Sequence, residues 1–374
     1  MRLFFLIRSL EHGGAERQLI ELVKTLDRSR FEITVATFYD GGALRPLLER
    51  VPGVHVVSLR KRSRWDVLGF LGRLRREVRR ARPDVIHGYL NVANELGLAV
   101  GRLSGAKVVW GLRMSEMDWS KHERIAATSE RIGAWLSPLA DLHIANSEAG
   151  QRAYVAAGYP ADRVVVVSNG IDIDVFKPEA ESRQRLRAEW GIAETDHVIG
   201  TVGRIDPQKD HPTFLRAAAV LSRARPGVRF VIVGDGPARY RQSAEALARE
   251  LGIAERVRWV KGSNEMSALY NALDVLTLCS AYGEGFPNVV GEAMACGTPV
   301  FATDVGDASV IIDDPRRIVP PGDPSALAAA WECLLASEAS ERAAIGARAR
   351  ERIVSRYSVR VLATKTAALL EALV

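Results

Sequence analysis

The sequence predicts an α/β protein built from two doubly wound domains. Its 374 residues exceed the length that one hydrophobic core usually serves. Short runs of aliphatic and β-branched residues alternate with helical segments, which is typical of parallel βαβ units. The alternation is interrupted after residue 172 and then begins again. We therefore expect a first domain over residues 1–172 and a second over residues 173–356.

The first half of the chain holds strand-like segments that are mostly separated by helical ones. They are RLFFLIRSL (2–10), FEITVATF (31–38), VHVVSL (54–59), PDVIHGY (83–89), KVVWGL (107–112), DLHIANS (141–147) and RVVVVSNG (163–170). The first leads through a Gly-Gly turn into an amphipathic helix with apolar residues at Leu19, Leu22, Val23 and Leu26. The stretch DIDVFKPEAES then reads as a linker to a new helix, RQRLRAEWG.

The second half repeats the pattern. Its strand-like segments are HVIGTVGRI (197–205), VRFVIVGDG (228–236), RVRWVKG (256–262), DVLTLCS (274–280) and TPVFATDVG (298–306). The helical segments SALAAAWECLL and ERAAIGARARERIV follow. Open α/β sheets bind ligands at the carboxyl ends of their strands. The predicted fold class is therefore α/β, with two Rossmann-like doubly wound domains facing across a cleft.

Composition excludes several classes of protein. The three cysteines, Cys279, Cys296 and Cys333, have neither disulfide-framework nor metal-ligand spacing, and they suit a reducing cytoplasm. The start of the chain, MRLFFLIRSL, is too short and too interrupted by Arg8 for a signal peptide. No apolar run approaches the roughly 18 residues of a membrane-spanning helix. We expect a cytoplasmic protein that at most lies peripherally on the inner face of the cell membrane.

Positive charge is concentrated in one segment. Residues 60–82 hold ten basic and two acidic side chains, although the net charge of the chain is only +6. The segment has an apolar row, a basic row and two aromatic residues: Leu68, Leu71, Leu74 and Val78; Arg73, Arg76 and Arg80; Trp65 and Phe70. Such a helix can lie on an anionic bilayer, where each basic residue contributes about 1 kcal/mol. The alternative is a core-packed helix with a solvated basic face. No nucleic-acid recognition motif accompanies the charge, so we expect no nucleic acid partner.

The strongest functional signal is EGFPNVVGE at 284–292, in which seven residues separate two carboxylates. Glu284 lies in a glycine-bounded loop, and Glu292 falls in the first turns of a helix that starts near Pro287. A buried helix start presents free N–H groups and a partial positive charge, which attract phosphate. One carboxylate before this anion site and another within it suit a ligand with sugar hydroxyls at both ends. The pattern therefore indicates a nucleotide-sugar.

A second candidate is GRIDPQKD at 203–210, where a strand ends in a loop that carries Arg204 and Lys209. A planar guanidinium group and an extended ammonium group together match a diphosphate. The alternative is a solvated loop without a ligand. The presence of the Glu284–Glu292 pair in the same half of the chain favours the functional interpretation.

Weaker signals lie at other strand ends. Gly13 and Gly14 in HGGAE permit close approach of a sugar or phosphate, although a packing turn uses the same residues. Gly262 in GSNEM is expected beside a nucleobase on position alone. His87 and Arg113 end two strands of the first domain. A cation there can meet developing phosphate charge, whereas a lone histidine at a strand end is more often structural.

Across nearly its whole length the chain resembles the retaining glycosyltransferases of family 4, which have the two-domain GT-B fold. The matching motifs are GGAE at 13–16, SNGID at 168–172, GRIDPQK at 203–209, VGDGP at 233–237 and EGFPNVVGEAMACGTPVFATDVG at 284–306. Many members have a histidine after the fifth strand, where this chain reads WGLRMS and carries Arg113. A subset that resembles polysaccharide-assembly enzymes shares this arginine.

The resemblance implies transfer of a sugar from a nucleotide-sugar, UDP-linked in preference to GDP-linked, to a hydroxyl acceptor. The acceptor would be a saccharide or a lipid-linked saccharide in polysaccharide or lipopolysaccharide synthesis. The basic helix at 60–82, and not the resemblance, is the reason to expect an anionic membrane surface as a partner. The resemblance implies retention at the anomeric carbon, no metal and no cofactor. It also implies that the last segment, 357–374, crosses back to pack on the first domain.

The resemblance, together with the positions of residues at strand ends, also assigns roles to individual residues. Arg204 and Lys209 would bind the donor diphosphate, Glu284 would contact the transferred sugar, and all three would be catalytic. Glu292 would bind the ribose. The other donor contacts would be Gly13, Gly14, Gly262, Phe286 and Pro287, with the amides of Asn288, Val289 and Val290. His87 and Arg113 would lie on the acceptor side.

Other functions stay open on the sequence alone. A GT-B epimerase would act on a nucleotide-sugar without an acceptor. A non-catalytic sugar-nucleotide-binding protein would share the fold, but the paired glutamates and both cations argue against it. A nicotinamide-dependent oxidoreductase would also have Rossmann-like domains. This chain lacks a GxGxxG motif followed by an acidic residue about twenty positions on, which argues against that class.

Overall fold

The computed structural model describes residues 1–11, 13–63, 65–113, 131–262 and 265–374. It divides into two compact units, of which the first comprises Met1–Gly170 with Val359–Val374 and the second comprises Ile171–Ser358. Parts of three motifs lie outside the described residues: His12 of HGGAE, Met114 and Ser115 of WGLRMS, and Ser263 and Asn264 of GSNEM.

The described part of the first unit contains a parallel seven-stranded sheet. Its strands are Arg2–Ile7 (β1), Glu32–Thr37 (β2), Val54–Ser58 (β3), Val85–Tyr89 (β4), Lys107–Leu112 (β5), Leu142–Ala145 (β6) and Val164–Val166 (β7). The strand order is β3-β2-β1-β4-β5-β6-β7. Helices between them include Gly14–Thr25 (α1), Arg45–Glu49 (α2), Val67–Ala81 (α3), Asn91–Ser104 (α4) and Glu148–Ala156 (α5).

The second unit contains a parallel sheet of six described strands. They are His197–Val202 (β8), Val228–Val233 (β9), Val257–Val260 (β10), Val275–Leu278 (β11), Val300–Thr303 (β12) and Ile318–Val319 (β13), in the order β10-β9-β8-β11-β12-β13. Its helices include Ala180–Glu189 (α6), His211–Ala224 (α7), Ala238–Glu250 (α8), Met266–Ala272 (α9), Asn288–Ala295 (α10), Ala308–Ile312 (α11), Pro324–Ala336 (α12) and Ala339–Arg356 (α13). Two separate apolar clusters include residues of this sheet, as expected of a doubly wound domain.

The last helix, Val359–Glu371 (α14), belongs to the first unit and packs against α1. Leu362 and Leu370 join the apolar cluster that contains the sheet residues Leu3 and Phe5. The chain enters this helix directly beside Gly170, because a Cβ atom at Gly170 would lie 2.8 Å from Cα of Val359.

The predicted α/β fold class is confirmed by these two parallel sheets, but several strand ends were placed too late. The segment RLFFLIRSL leaves the sheet after Ile7, and HVIGTVGRI leaves it after Val202. The residues beyond these points form the loops at the carboxyl edge, where binding residues lie. The sequence interpretation also missed β13, which has only two residues and no periodicity to recognise.

The apolar row predicted for α3 was partly wrong. Phe70, Leu74 and Val78 are buried, whereas Leu68 is 86% exposed. With 3.6 residues per turn, Leu68 lies about 120° around the helix from Leu74, which is the centre of the buried face. Phe70 therefore supports the core and is not an exposed aromatic anchor. Trp65, just before the helix, is 79% exposed.

None of the helices in the described residues is both long enough and apolar enough to cross a lipid bilayer.

Candidate active site

The strongest sequence motifs meet at one edge of the second sheet. The chain builds β8, β9 and β10 outwards on one side, and then places β11, β12 and β13 on the other. The loops that follow β8 and β11 therefore leave the sheet side by side at its carboxyl edge. This reversal of strand order is the point at which open α/β sheets bind ligands.

Lys209 and Glu284 form the centre of this site. The Nζ atom of Lys209 donates a hydrogen bond of 2.5 Å to Oε1 of Glu284. Their side chains are only 15% and 9% exposed. An ammonium group has three protons, so Lys209 can hold this carboxylate and still donate to a phosphate oxygen.

The loop that carries Lys209 is fixed by local contacts. Asp206 caps the turn by accepting a hydrogen bond of 3.3 Å from the amide of Lys209. Gln208 joins this loop to the loop after β11. Its side-chain amide donates a hydrogen bond of 3.0 Å to the carbonyl of Gly283, and its backbone carbonyl accepts one of 2.8 Å from the amide of Ala281. Two hydrogen bonds therefore join the two loops.

Glycines allow this close approach of backbones. Gly234 has φ +148°, and a Cβ atom there would lie 1.9 Å from the carbonyl oxygen of Gly203. Gly306 has φ +64°, and a Cβ atom there would lie 2.2 Å from the carbonyl oxygen of Glu284. Any other residue at either position would push the donor-site loops out of place.

Two residues that the sequence interpretation missed, Ser280 and Thr303, support Glu284 through hydrogen bonds. Ser280 is fully buried, and its hydroxyl donates 2.5 Å to Oε1 of Glu284. Thr303 in turn donates 2.6 Å to the carbonyl of Ser280. Ser280 lies four residues before Glu284, but a serine in a loop does not show which neighbour its hydroxyl will meet, and Thr303 lies 23 positions after Ser280. No sequence signal therefore pointed to them.

Arg204 stands apart from the buried pair. Its side chain is 74% exposed and forms an ion pair of 3.1 Å with Asp206. Its guanidinium also donates 3.3 Å to Gln208. The loop thus presents one buried cation, Lys209, and one exposed cation, Arg204.

The helix start predicted at Pro287 is present. Pro287 occupies the N-cap position of α10, and Asn288 begins the helix. Among the described residues the amide of Val289 has no hydrogen-bond partner, so it can meet an anion. The amide of Val290 donates 3.0 Å to the carbonyl of Pro287, and its predicted contact with an anion stays a prediction. The side chain of Phe286 packs in the core, 5.5 Å from the ring of Tyr357, and leaves only its backbone for a ligand.

Glu292 lies in the second turn of α10, and a buried tyrosine orients it. The hydroxyl of Tyr270 donates 2.6 Å to Oε2 of Glu292. Tyr270 is fully buried, and its carbonyl accepts a hydrogen bond from Thr298. The sequence interpretation identified Glu292 and missed Tyr270.

Gly262 lies at the end of β10, next to the β9 loop. Its amide donates 2.9 Å to Oδ2 of Asp235. The amide of Gly262 is thus already bonded within the protein, and its predicted position beside a nucleobase stays a prediction. Asp235 therefore joins the loop that follows β9 to the loop that follows β10.

Two family models match the chain. The model described as glycosyltransferase family 4 matches residues 12–175, and the model described as glycosyl transferases group 1 matches residues 182–352. The D-inositol 3-phosphate glycosyltransferase of Salinispora tropica is 31% identical over 343 residues, which cover 81% of this chain and 69% of that protein. The protein of the same name from Streptomyces scabiei is 31% identical over 351 residues, covering 84% and 77%. The chain belongs to the GT4-type glycosyltransferases of the GT-B fold.

Solved structures agree with this assignment. Anabaena HepE in complex with UDP matches over the full length of both chains, with 27% identity and a TM-score of 0.86. The same protein in complex with UDP-glucose matches with 26% identity and a TM-score of 0.84. This chain is therefore a glycosyltransferase that uses nucleotide-sugar donors.

In the first unit of the glycosyltransferase, Gly13 and Gly14 begin α1. Gly13 is the N-cap residue and has an extended backbone. A Cβ atom at Gly13 would lie 2.0 Å from a carboxylate oxygen of Glu16, so the acidic side chain covers this helix start. The proposed contact of Gly13 and Gly14 with the donor stays a prediction.

His87 and Arg113 lie close together in the first unit. His87 is 2% exposed, and neither ring nitrogen has a hydrogen-bond partner among the described residues. Burial, and secondarily the positive charge of Arg113, lowers the pKa of His87 to about 3. The Arg113 guanidinium lies 4.7 Å from the ring centroid of Tyr89 and donates 3.1 Å to Asn169. This glycosyltransferase therefore carries a neutral histidine beside a cation at the strand ends of its first unit.

Within the described residues no group of three His, Cys, Asp or Glu side chains has the geometry to hold a metal ion.

Proposed function

We propose that this glycosyltransferase moves a hexosyl group from a UDP-sugar to a hydroxyl acceptor, with retention and without a metal ion. The observation that carries the proposal is the 2.5 Å contact between Lys209 and Glu284 at the reversal of strand order. One residue suits the diphosphate and the other suits sugar hydroxyls, and they are already joined. The choice of UDP rests on the Anabaena neighbour, which is 27% identical and was crystallised with UDP.

The proposed mechanism is electrostatic. As the bond between sugar and phosphate breaks, the sugar becomes oxocarbenium-like and negative charge grows on the leaving diphosphate. Lys209, Arg204 and the free amide of Val289 would stabilise that charge, and these groups would replace a divalent cation. A single well-aimed donor of this kind contributes about 2.7–4 kcal/mol.

Glu284 and Glu292 would fix the two ends of the donor. Glu284 would accept hydrogen bonds from hydroxyls of the transferred sugar, and Glu292 would accept them from the ribose. The Tyr270 hydroxyl at 2.6 Å supports this role, because it orients the Glu292 carboxylate before the donor arrives. Retention would follow from front-face attack by the acceptor, assisted by the leaving phosphate.

For the acceptor we favour a lipid-linked saccharide at a membrane surface. The support is α3 with its preceding loop, where Trp65 and Leu68 are exposed beside the basic residues Arg75, Arg76, Arg79 and Arg80. Arg73 is not part of this surface, because it pairs with Asp66 and donates 2.6 Å to the carbonyl of Leu59. Exposed apolar and basic side chains together suit an anionic interface.

Liposome co-sedimentation tests the membrane contact. We expect binding to anionic vesicles and not to neutral ones, and loss of binding with Arg76→Glu and Arg80→Glu. Arg223→Glu, at an exposed position of α7 in the second unit, is the matched control. Equal binding to both vesicle types by all variants would exclude the membrane role.

A second acceptor class is a small phosphorylated polyol. It is favoured by the relatives named D-inositol 3-phosphate glycosyltransferase and by Arg113, whose cationic group lies at a strand end of the first unit. An acceptor panel separates the classes: turnover of UDP-glucose with a soluble cyclitol phosphate but not with a lipid-linked saccharide would favour this second class.

One binding experiment tests the donor. We expect UDP to raise the melting temperature more than GDP, ADP or CDP, since a ligand that binds the folded state stabilises it by mass action.

Two further experiments test the mechanism. Product analysis by NMR should show retained anomeric configuration, and excess EDTA should leave the rate unchanged. Turnover without any acceptor, giving an epimerised nucleotide-sugar, would identify an epimerase instead.

A further inference from the structure

We propose that Ser280 is a positioning residue that determines how the enzyme recognises the transferred sugar. Its hydroxyl fixes one carboxylate oxygen of Glu284 and leaves the other oxygen to meet the sugar hydroxyls. This inference rests on the proposed contact between Glu284 and the sugar, and it adds a residue that acts through Glu284.

The hydroxyl of Ser280 has one proton, and that proton is directed at Glu284. Its Oγ atom lies 2.5 Å from Oε1 in a fully buried position. The backbone of Ser280 is itself fixed, because Thr303 at the end of β12 donates 2.6 Å to its carbonyl. The hydroxyl therefore has little freedom to turn towards another partner.

The two oxygens of Glu284 are in different situations. Oε1 accepts two hydrogen bonds, from Ser280 and from Lys209, both at 2.5 Å. Oε2 has no hydrogen-bond partner among the described residues. A carboxylate in a mostly buried position needs donors for both oxygens, so Oε2 is the atom with unused capacity.

A sugar supplies the missing donors. Adjacent hydroxyls of a hexose can donate to Oε2, and they are absent from the free nucleotide. Without Ser280, the carboxylate could rotate and present Oε1 and Oε2 in turn. The hydroxyl of Ser280 thus fixes the orientation in which the Glu284 carboxylate meets the sugar. Lys209 remains available to the diphosphate.

The test compares dissociation constants for UDP and for UDP-glucose by calorimetry in wild type and in Ser280→Ala. Hydrogen bonds to charged groups are strong, so we expect the Kd for UDP-glucose to rise roughly tenfold or more. The Kd for UDP should stay within about twofold, because the nucleotide alone does not reach Oε2.

Thr277→Val is the matched control. Thr277 is a buried residue of β11, three positions before Ser280, and it accepts 3.0 Å from Nε1 of Trp331. Its replacement removes a buried hydroxyl close to Ser280 in the chain without removing a contact to Glu284. Both dissociation constants should keep their wild-type values in this variant.

A double-mutant cycle separates positioning from general support of the loop. In the Glu284→Ala background, Ser280→Ala should cause no further loss of UDP-glucose affinity, because the group through which it acts is gone. An equal rise of both dissociation constants in Ser280→Ala, or a persistent effect in the Glu284→Ala background, would overturn the proposal. If Ser280→Ala fails to fold, Ser280→Cys fills the site with a slightly larger and weaker donor. It should raise the Kd for UDP-glucose relative to the Kd for UDP, as Ser280→Ala is expected to do.

The proposed donor and this inference fail differently. If wild type shows the same dissociation constant for UDP-glucose as for UDP, the assigned role of Glu284 is wrong. If wild type shows a sugar-dependent difference that Ser280→Ala leaves intact, only the role of Ser280 is wrong.

Discussion

Lys209 and Glu284 lie 75 positions apart in the chain and share a hydrogen bond of 2.5 Å. Each comes from the loop after one of two neighbouring strands, β8 and β11, between which the strand order reverses. The contact therefore depends on strand order more than on either local sequence. It places a cation and a carboxylate at one point, which the proposed mechanism assigns to the diphosphate and to the sugar.

The first prediction concerns this pair. Lys209→Ala should lower kcat by roughly 100-fold to 1,000-fold, because one preorganised charge-stabilising group is removed. Glu284→Ala should likewise abolish transfer. Initial rates with UDP-glucose and far-UV circular dichroism measure activity and folding together.

Arg223→Ala is the control for Lys209→Ala, since Arg223 is an exposed cation at the end of α7. It should keep wild-type kcat. Full activity in Lys209→Ala or in Glu284→Ala, with a normal spectrum, would contradict the site assignment.

The second prediction concerns Tyr270. Tyr270→Phe removes the hydroxyl that donates 2.6 Å to Glu292 and keeps the ring in the core. We expect UDP affinity to fall roughly tenfold, as for the loss of a hydrogen bond to a charged group. Calorimetric titration with UDP measures the change.

For this variant, Tyr240→Phe is the control. Tyr240 lies on α8, where Arg239 donates 3.1 Å to its hydroxyl. If Tyr270→Phe binds UDP as tightly as Tyr240→Phe does, the tyrosine does not orient Glu292 for the nucleotide.

The third prediction concerns folding of the second unit. Asp274 accepts hydrogen bonds of 2.6 Å from both Arg183 and Arg187, and the Arg187 side chain is almost fully buried. Asp274→Asn would leave that buried guanidinium without its counter-charge, which typically costs about 3–5 kcal/mol in the free energy of unfolding. Urea denaturation followed by fluorescence measures the loss.

Glu332→Gln provides the comparison, because its ion pair with Arg225 is substantially exposed. Exposed pairs contribute about 0–1 kcal/mol. Equal destabilisation by the two substitutions would show that burial of Arg187 is not what makes Asp274 important.

The fourth prediction concerns pH. Burial is the main cause that lowers the pKa of three histidines in the folded state: His87 to about 3, and His143 and His211 to about 4 each. Below pH 6.5, the ordinary value, the unfolded chain binds protons that the folded chain does not. The free energy of unfolding should therefore be fully retained above that pH and should fall as the pH drops from 6.5 towards 4.

Each such histidine contributes a slope of up to about 1.4 kcal/mol per pH unit in that window. Urea midpoints between pH 7.5 and 5 measure the slope. His87→Phe should reduce it, because phenylalanine has no proton to gain and can keep the ring contacts with Phe5 and Tyr89. An unchanged slope in His87→Phe would mean that His87 titrates normally in the folded protein.

Much of the site could be predicted because its residues carry chemistry in recognisable order. Glycine turns, a lysine after a strand, and two glutamates around a helix start each limit what the local chain can do. The structure brings Lys209 and Glu284 into contact and leaves Arg204 exposed in the same loop. A side chain's exposure depends on what packs over it, so residue type alone did not separate the two cations.

Local pattern did not specify every neighbour. Leu68 was assigned to the apolar row of α3 by local pattern, yet its side chain lies outside the core. The amide of Val290 was assigned to an anion, and its hydrogen bond to Pro287 was not foreseen. In each case the outcome depended on a neighbour or a turn geometry that hydrophobic periodicity does not specify.

The sequence by itself determined the two α/β domains, the carboxylate pair and the cationic loop, because periodicity and residue chemistry are local properties. Only the tertiary structure decided that Ser280 and Tyr270 hold the two glutamates. The first bond depends on how the loop after β11 folds, and the second on how the helix that carries Tyr270 packs against α10. Residue type alone does not specify either arrangement.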